Sequence, residues 1–301
     1  MTTPAATIEG RMMCASSAAY SIQPNGSYTA LEPYHGGVGW LGAPVAIIGG
    51  TQNINACLVG VNQDGIIVAF RGTVLPVPIT KMSILDWWQD IVDSEPKPIP
   101  GVPGKVHCGF KDAVQTIWAQ LLTQVGIFKG LHPGMPVYMT GHSKGGPMAT
   151  ISAARTHFDT TVGWKPIAVY TYASPHPGDK DFVKDFPLTE IPVTRYENYL
   201  DVVPLVPPSE KFIQLASKSK LLGDLFKLAE GWNYASLGER KYINRKHEVI
   251  SGQPQLTPKQ FAKLAFMVAA GPCGLRKVAL AHMYTCGYGY MKGLCPTGVC
   301  P

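Results

Sequence analysis

The sequence predicts an α/β fold with a mostly parallel, doubly wound central sheet flanked by helices. Three observations predict it. Apolar runs of strand length alternate with stretches carrying helical periodicity, from residue 45 to about 199. Two of these runs, 66–70 (I-I-V-A-F) and 167–172 (I-A-V-Y-T-Y), are apolar enough to be strands buried on both faces. A third passage, 136–154, reads as β-prone run, glycine-pinched turn and small-residue helix in immediate succession. With 301 residues, 46% of them hydrophobic and only 15% charged, the chain is long and apolar enough for one packed domain over 1–301, and disorder is excluded.

In chain order, residues 11–20 place Met12, Ala15, Ala19 and Tyr20 on one side of a first helix. A Gly- and Pro-rich loop follows to about Gly42. Three strands are expected at 45–48, 56–61 and 66–70, the last two joined by the turn Gln63-Asp64-Gly65. Residues 96–103 read as a Pro-rich loop. Phe110, Val114, Ile117, Trp118, Leu121, Leu122 and Val125 then recur at helical spacing. After the 136–154 passage come strands at 167–172 and 193–199, with a short helix near Phe182 between them. Residues 209–238 form a helical insertion or cap, with Phe212, Leu215, Leu222, Leu225, Phe226 and Ala229 as a stripe among lysines. One more strand is expected within 241–250. Two helical stretches, 258–270 and 275–290, precede a Cys-rich end.

The chemistry is concentrated in Gly141-His142-Ser143-Lys144-Gly145. Strand, G-x-S-x-G and helix is the order needed to force a serine into a sharp turn with its hydroxyl exposed to a cleft. Glycines at 141 and 145 let strand and helix cross closely, and the helix N-terminus aims N–H groups at an anion forming beside Ser143. A serine nucleophile needs a base and the base needs an orienting acid. His282 lies in an apolar frame, Val278-Ala279-Leu280-Ala281-His282, that can hold and desolvate an imidazole. His247 lies in the charged Arg245-Lys246-His247-Glu248. His142, His107 and His176 read as structural or cleft-lining. Asp201 follows a buried strand at the sheet's C-terminal edge and is the preferred acid. Asp179, Asp181 and Asp185 sit in a more charged stretch, and Asp224 within the amphipathic one. The two donors a tetrahedral oxyanion requires are assigned to the N–H of Lys144 and to Thr73, with Arg71 anchoring the loop that carries Thr73.

Bulk properties narrow the alternatives. The net charge of +6 is spread along the chain without a basic block interleaved with aromatics, so nucleic acid is not an expected partner. No apolar stretch is long enough for a transmembrane helix, and no signal peptide is legible. That reading fits a cytoplasmic protein if Met1 is the native start, and a secreted one if a leader has been removed. Of seven cysteines, four lie at or after position 273. Cys295 and Cys300 could close a small loop in an oxidising compartment, and the spacing is a poor zinc signature. No metal and no cofactor are expected, and a monomer is favoured.

In order along about two thirds of the chain, these residues resemble the class 3 lipase family, the group of the fungal triacylglycerol lipases. Val68-Ala69-Phe70-Arg71-Gly72-Thr73 resembles its oxyanion strand and loop, Asp86-Trp87 and Asp90 the segment after it, and His107-Cys108-Gly109-Phe110 its H-x-G-F. Gly141-His142-Ser143-Lys144-Gly145-Gly146 matches G-H-S-x-G-G. Tyr172-Ala173-Ser174-Pro175 resembles G-S-P with Ala173 in place of glycine, residues 198–204 resemble the acid loop, and the neighbourhood of His282 resembles the histidine segment. The resemblance implies an α/β-hydrolase fold with a lid, Ser143, Asp201 and His282 as the triad, and Thr73 and Lys144 at the oxyanion hole. It places the lid at 74–85, where Val74, Leu75, Val77, Ile79, Met82, Ile84 and Leu85 are too apolar for an ordinary exposed loop. The expected activity is hydrolysis of acylglycerol esters at a lipid–water interface through an acyl-enzyme. A short-chain or feruloyl-type esterase, a phospholipase and a non-catalytic lipid-binding protein are the alternatives.

Overall fold

The computed structural model describes residues 3–74, 94–217, 231–252, 272–295 and 299–300. Twelve strands are defined among them: β1 (Val45–Gly49), β2 (Asn55–Val61), β3 (Ile66–Phe70), β4 (Pro96–Ile99), β5 (Val102–His107), β6 (Val137–His142), β7 (Ala168–Tyr172), β8 (Gly178–Asp179), β9 (Val193–Asn198), β10 (Tyr234–Ala235), β11 (Glu239–Ile243) and β12 (Val249–Ser251). Eight of them build the main sheet in the order β1-β2-β3-β6-β7-β9-β11-β12. The central run β3-β6-β7-β9-β11 is parallel, and the flanking pairs are antiparallel. Four short strands, β10-β8-β5-β4, form a second, antiparallel sheet.

Alternation along β3 shows how the layers arise. Ile66, Val68 and Phe70 pack into one core, with Met139, Val169 and Val193 from the neighbouring strands and Val114, Ile117 and Leu121 of the helix Cys108–Leu131. Ile67 and Ala69 face the other core, with Leu58, Tyr172, Tyr196 and Met12, Met13 and Ala15 of the helix Ile8–Ala18. A strand covered on both sides must be apolar at both parities, which is why no alternation is visible in its sequence. The first helix is likewise enclosed: Gly10 to Ala18 are all buried, not the single stripe expected from the sequence. Its buried charged member, Arg11, lies with Nε and Nη2 each 2.7 Å from the Asp64 carboxylate in the β2–β3 turn. Nη1 donates to the carbonyls of Ala5 and Ala6. A buried guanidinium needs such a full set of acceptors.

Several elements differ from the sequence reading. The Pro-rich 96–103 falls in the β4–β5 hairpin, turning at Gly101 (φ 79°); Pro96 and Pro98 are tolerated because β4 is an edge strand. Residues 241–250 are not one strand but the β11–β12 hairpin, and His247 occupies its turn with φ 62°. A five-residue helix, Tyr34–Val38, interrupts the loop before β1. The 275–290 stretch is two helices, Pro272–His282 and Tyr290–Leu294, separated by irregular chain. Within 209–238 the described part begins with the helix Glu210–Ala216, capped by Ser209. It ends on β10, which joins the second sheet, so its C-terminal end is strand and not helix. Residues 218–230, the 258–270 helix and the lid positions after Val74 lie outside the described residues. Cys300 is bonded to Cys286 rather than to Cys295. The Cys295 thiol lies buried 3.9 Å from that of Cys14.

Candidate active site

Strand β6 runs to His142 in the centre of the sheet, and the chain reverses at once into the helix Gly145–Phe158. The turn is so tight that a Cβ on Gly141 would lie 2.1 Å from the Gly145 carbonyl oxygen, and one on Gly145 2.2 Å from that of Phe70. Only glycine meets both approaches. Ser143 takes up the reversal with φ 56°, a conformation that non-glycine residues rarely adopt outside functional turns, held by its N–H to the Tyr172 carbonyl at 2.9 Å. Its side chain is almost fully covered, at 2% exposure. Lys144 follows in the right-handed region, and among the described residues no hydrogen bond uses its backbone N–H.

The other two expected residues arrive from separate elements. His282 is the last residue of the helix Pro272–His282, and Asp201 sits three residues past β9. His282 Nε2 lies 3.0 Å from Ser143 Oγ, and Nδ1 lies 3.1 and 3.0 Å from the two Asp201 carboxylate oxygens. Because a carboxylate only accepts, Nδ1 carries the proton and Nε2 presents a lone pair to the serine hydroxyl. Asp201 accepts two more bonds, from Val203 N–H at 2.9 Å and from Tyr290 O–H at 2.6 Å.

Around this chain of side chains lies a buried frame that the sequence reading did not find. Tyr290 O–H, while donating to Asp201, accepts from the Asn198 N–H at 2.9 Å. Asn198 Nδ2 donates to the carbonyls of Ala281 and Tyr288, fastening the end of the histidine helix to the end of β9. His142, read as structural, holds the base in place through its backbone. Its Nε2–H donates to the carbonyl of His282 at 2.7 Å, and its Nδ1 accepts from Tyr20 O–H at 2.8 Å. Burial, with the nearby His282, pushes its pKa well below the ordinary histidine range, so it stays neutral in this tautomer. Tyr284 stacks on Tyr20 at 4.2 Å and closes the cage. Asn198 carried a signal, an amide at the end of a buried strand three residues before the acid. Tyr290 carried none, because its distance from Asp201 is set by folding alone.

The remaining positions fall as follows. Arg71 anchors its loop: Nη1 donates to the Ile22 carbonyl, and Nη2 to those of Asn53 and Ile54. Thr73 is half-buried, and Val74, the first lid position, is 59% exposed. Leu75, Val77, Ile79, Met82, Ile84 and Leu85 are outside the described residues. Lys144 Nζ donates to Asn55 Oδ1 at 2.8 Å. Burial and the neighbouring Arg71 lower its pKa to about 8. His176 is structural, bridging the Pro207 carbonyl and Ser236. His107 stacks on Phe110. Asp179, in the more charged stretch, caps the helix Lys180–Asp185 by accepting from Phe182 N–H. Among the described residues no cluster of histidine, cysteine and carboxylates could hold a metal, and no helix is long and apolar enough to cross a membrane.

Known proteins resemble this chain in both sequence and fold. The family profile described as lipase (class 3) matches residues 67–211. A lipase from Rhizomucor miehei is 31% identical over 152 residues, half of this chain and 39% of that protein. The secreted mono- and diacylglycerol lipase 1 of Fusarium solani is 36% identical over 104 residues, 34% of this chain and 30% of that protein. The chain thus spans well under half the length of these curated relatives. Among solved structures, the native Rhizomucor miehei lipase propeptide complex superposes with a TM-score of 0.56 at 22% identity, covering 80% of this chain and 70% of that one. The triacylglycerol lipase from Penicillium expansum gives 0.53 at 20% identity, covering 81% and 82%. At these identities the structural likeness concerns the fold, which is that of the α/β-hydrolases.

Proposed function

We propose that this chain, whose residues 67–211 match the class 3 lipase family, is a serine-dependent carboxylic ester hydrolase acting on acylglycerols. The observation that carries this reading is the hydrogen-bonded series Ser143–His282–Asp201, built on a serine held at positive φ. In the proposed reaction His282 Nε2 takes the Ser143 hydroxyl proton as Oγ attacks the ester carbonyl. Asp201 orients the imidazole and stabilises the imidazolium. The oxyanion is met by the Lys144 N–H, at the positive end of the helix Gly145–Phe158, and by Thr73. His282 then protonates the leaving alcohol, and water, activated by the same base, releases the acid from Ser143. The steps need no metal or cofactor.

An acylglycerol substrate is supported by the apolar content of 74–85, which we read as a lid that covers the cleft in water and opens on lipid. The Cys286–Cys300 bond supports an oxidising compartment for the protein. The test is the rate of tributyrin hydrolysis as its concentration crosses the solubility limit, with Ser143→Ala alongside. A rise when droplets form, absent in the mutant, is the expected result. Smooth saturation below the limit would replace the lipase with an esterase, and equal turnover by Ser143→Ala would remove the serine mechanism altogether.

A further inference from the structure

The side-chain interactions beside Ser143 converge on a segment outside the triad. Arg71, which precedes the Gly72-Thr73 side of the oxyanion hole, donates through Nη2 to the carbonyls of Asn53 at 3.1 Å and Ile54 at 3.0 Å. Lys144, which supplies the other donor peptide, reaches through Nζ to the side chain of the next residue, Asn55, at 2.8 Å. Asn55 is in turn fixed from behind: its Nδ2 donates to Thr116 Oγ1 at 3.1 Å, and that hydroxyl donates to the Ala113 carbonyl within the helix Cys108–Leu131. Its backbone begins β2, which pairs directly with β3. Among the described residues neither cation is neutralised by a carboxylate; both are held by neutral oxygens.

We propose that the segment 53–55 is the common anchor of the oxyanion hole, and that Asn55 is a positioning residue acting through Lys144. The two donor peptides come from different strands, β3 and β6, and oxyanion stabilisation depends on their mutual placement to a fraction of an ångström. Tying both to three consecutive residues fixes that placement from a single segment. This inference rests on the esterase reading above.

The experiment compares wild type, Asn55→Leu, Asn55→Asp, Lys144→Met and Ser143→Ala on p-nitrophenyl butyrate, with inhibition by an alkyl boronic acid as a tetrahedral-adduct probe. Asn55→Leu should lower kcat on the order of tenfold with KM within about twofold, and weaken boronate binding in proportion, since a misplaced donor is felt in the tetrahedral state. Asn55→Asp, whose carboxylate still accepts from Lys144, should restore most of kcat. Lys144→Met should lose about as much as Asn55→Leu, and the double variant no more than either alone, because both act through one contact. Unchanged kcat in Asn55→Leu, or additive losses in the double variant, overturns the proposal while the esterase reading stands. Should Asn55→Leu fail to fold, Asn55→Asp and Lys144→Met decide: equal losses in both overturn it. Activity in Ser143→Ala equal to wild type defeats the esterase reading itself.

Discussion

Replacing Tyr290 by phenylalanine deletes a single oxygen from beneath the proposed catalytic groups. The structure specifies two consequences. Asp201 loses one of its three partners, a 2.6 Å bond from a buried hydroxyl to a carboxylate, and the Asn198 N–H loses its acceptor. A hydrogen bond to a charged group contributes about 1.5–3 kcal/mol, and an orphaned buried donor costs about 1–3 kcal/mol. A fall in folding stability of about 2.5–6 kcal/mol is therefore expected, with no cavity term because the ring remains. For catalysis the Asp201 carboxylate keeps Val203 N–H and His282, so it loosens without being lost. A kcat reduction of about 10- to 50-fold at nearly constant KM follows, far short of the roughly 10⁴-fold expected when the acid itself is neutralised. The assay is initial rates on a soluble ester, paired with urea denaturation. A kcat within twofold of wild type, alongside the expected stability loss, would refute the reasoning by showing that Tyr290 braces the fold without positioning Asp201.

Asp201→Asn should lower kcat by about 10⁴ while leaving the circular dichroism spectrum native, since it turns His282 to the wrong tautomer; a loss under tenfold would point to another acid. Acid stability should depend on His176, which burial lowers to about 4 from an unfolded value near 6.5. The unfolded chain takes up this proton first, so stability is full above pH 6.5 and falls by up to about 3 kcal/mol as pH drops toward 4. His176→Gln should flatten that slope in urea midpoints measured from pH 4 to 7, whatever its stability at neutral pH. Lys144 acts with the same sign in a higher window: with a folded pKa of about 8 against 10.5, the folded state releases its proton first, so its burial penalty is present below pH 8 and is relieved as pH rises toward 10.5. Relative to wild type, Lys144→Met should gain stability by up to about 3 kcal/mol at pH 7, less the lost bond to Asn55, and the difference should shrink by pH 10. A constant offset across that range would show that Lys144 titrates normally.

How far the chain could be read before folding is clear from particular stretches. The strands β3, β6, β7 and β9 and the long helix were legible because each is a local pattern: burial on both faces writes an apolar run, and a half-buried helix writes a 3.6-residue period. Ser143 was legible for the same reason, since a nucleophile turn imposes its glycines within two residues on either side. The β4–β5 hairpin was missed because its prolines and glycines, admitted by an edge strand and a turn, break up the short apolar pattern of Ile99, Val102 and Val106, and the 241–250 stretch because nothing local marked His247 as a turn. The pairing of Cys286 with Cys300, the contact of Lys144 with Asn55 and the bond from Tyr290 to Asp201 join residues 14 to 89 positions apart and leave no periodic trace.

The sequence by itself determined the order of strands and helices, the strained serine at its turn and the stock of acids and bases. Those properties depend on neighbours along the chain, where sterics and burial act on successive residues. Tertiary structure alone decided which side chains hold His282 and Asp201 beside Ser143, and which oxygen receives each buried cation. These choices are made where three strand ends and two helix ends converge, and hydrogen bonds a few ångströms long select partners by position in space rather than by distance along the chain.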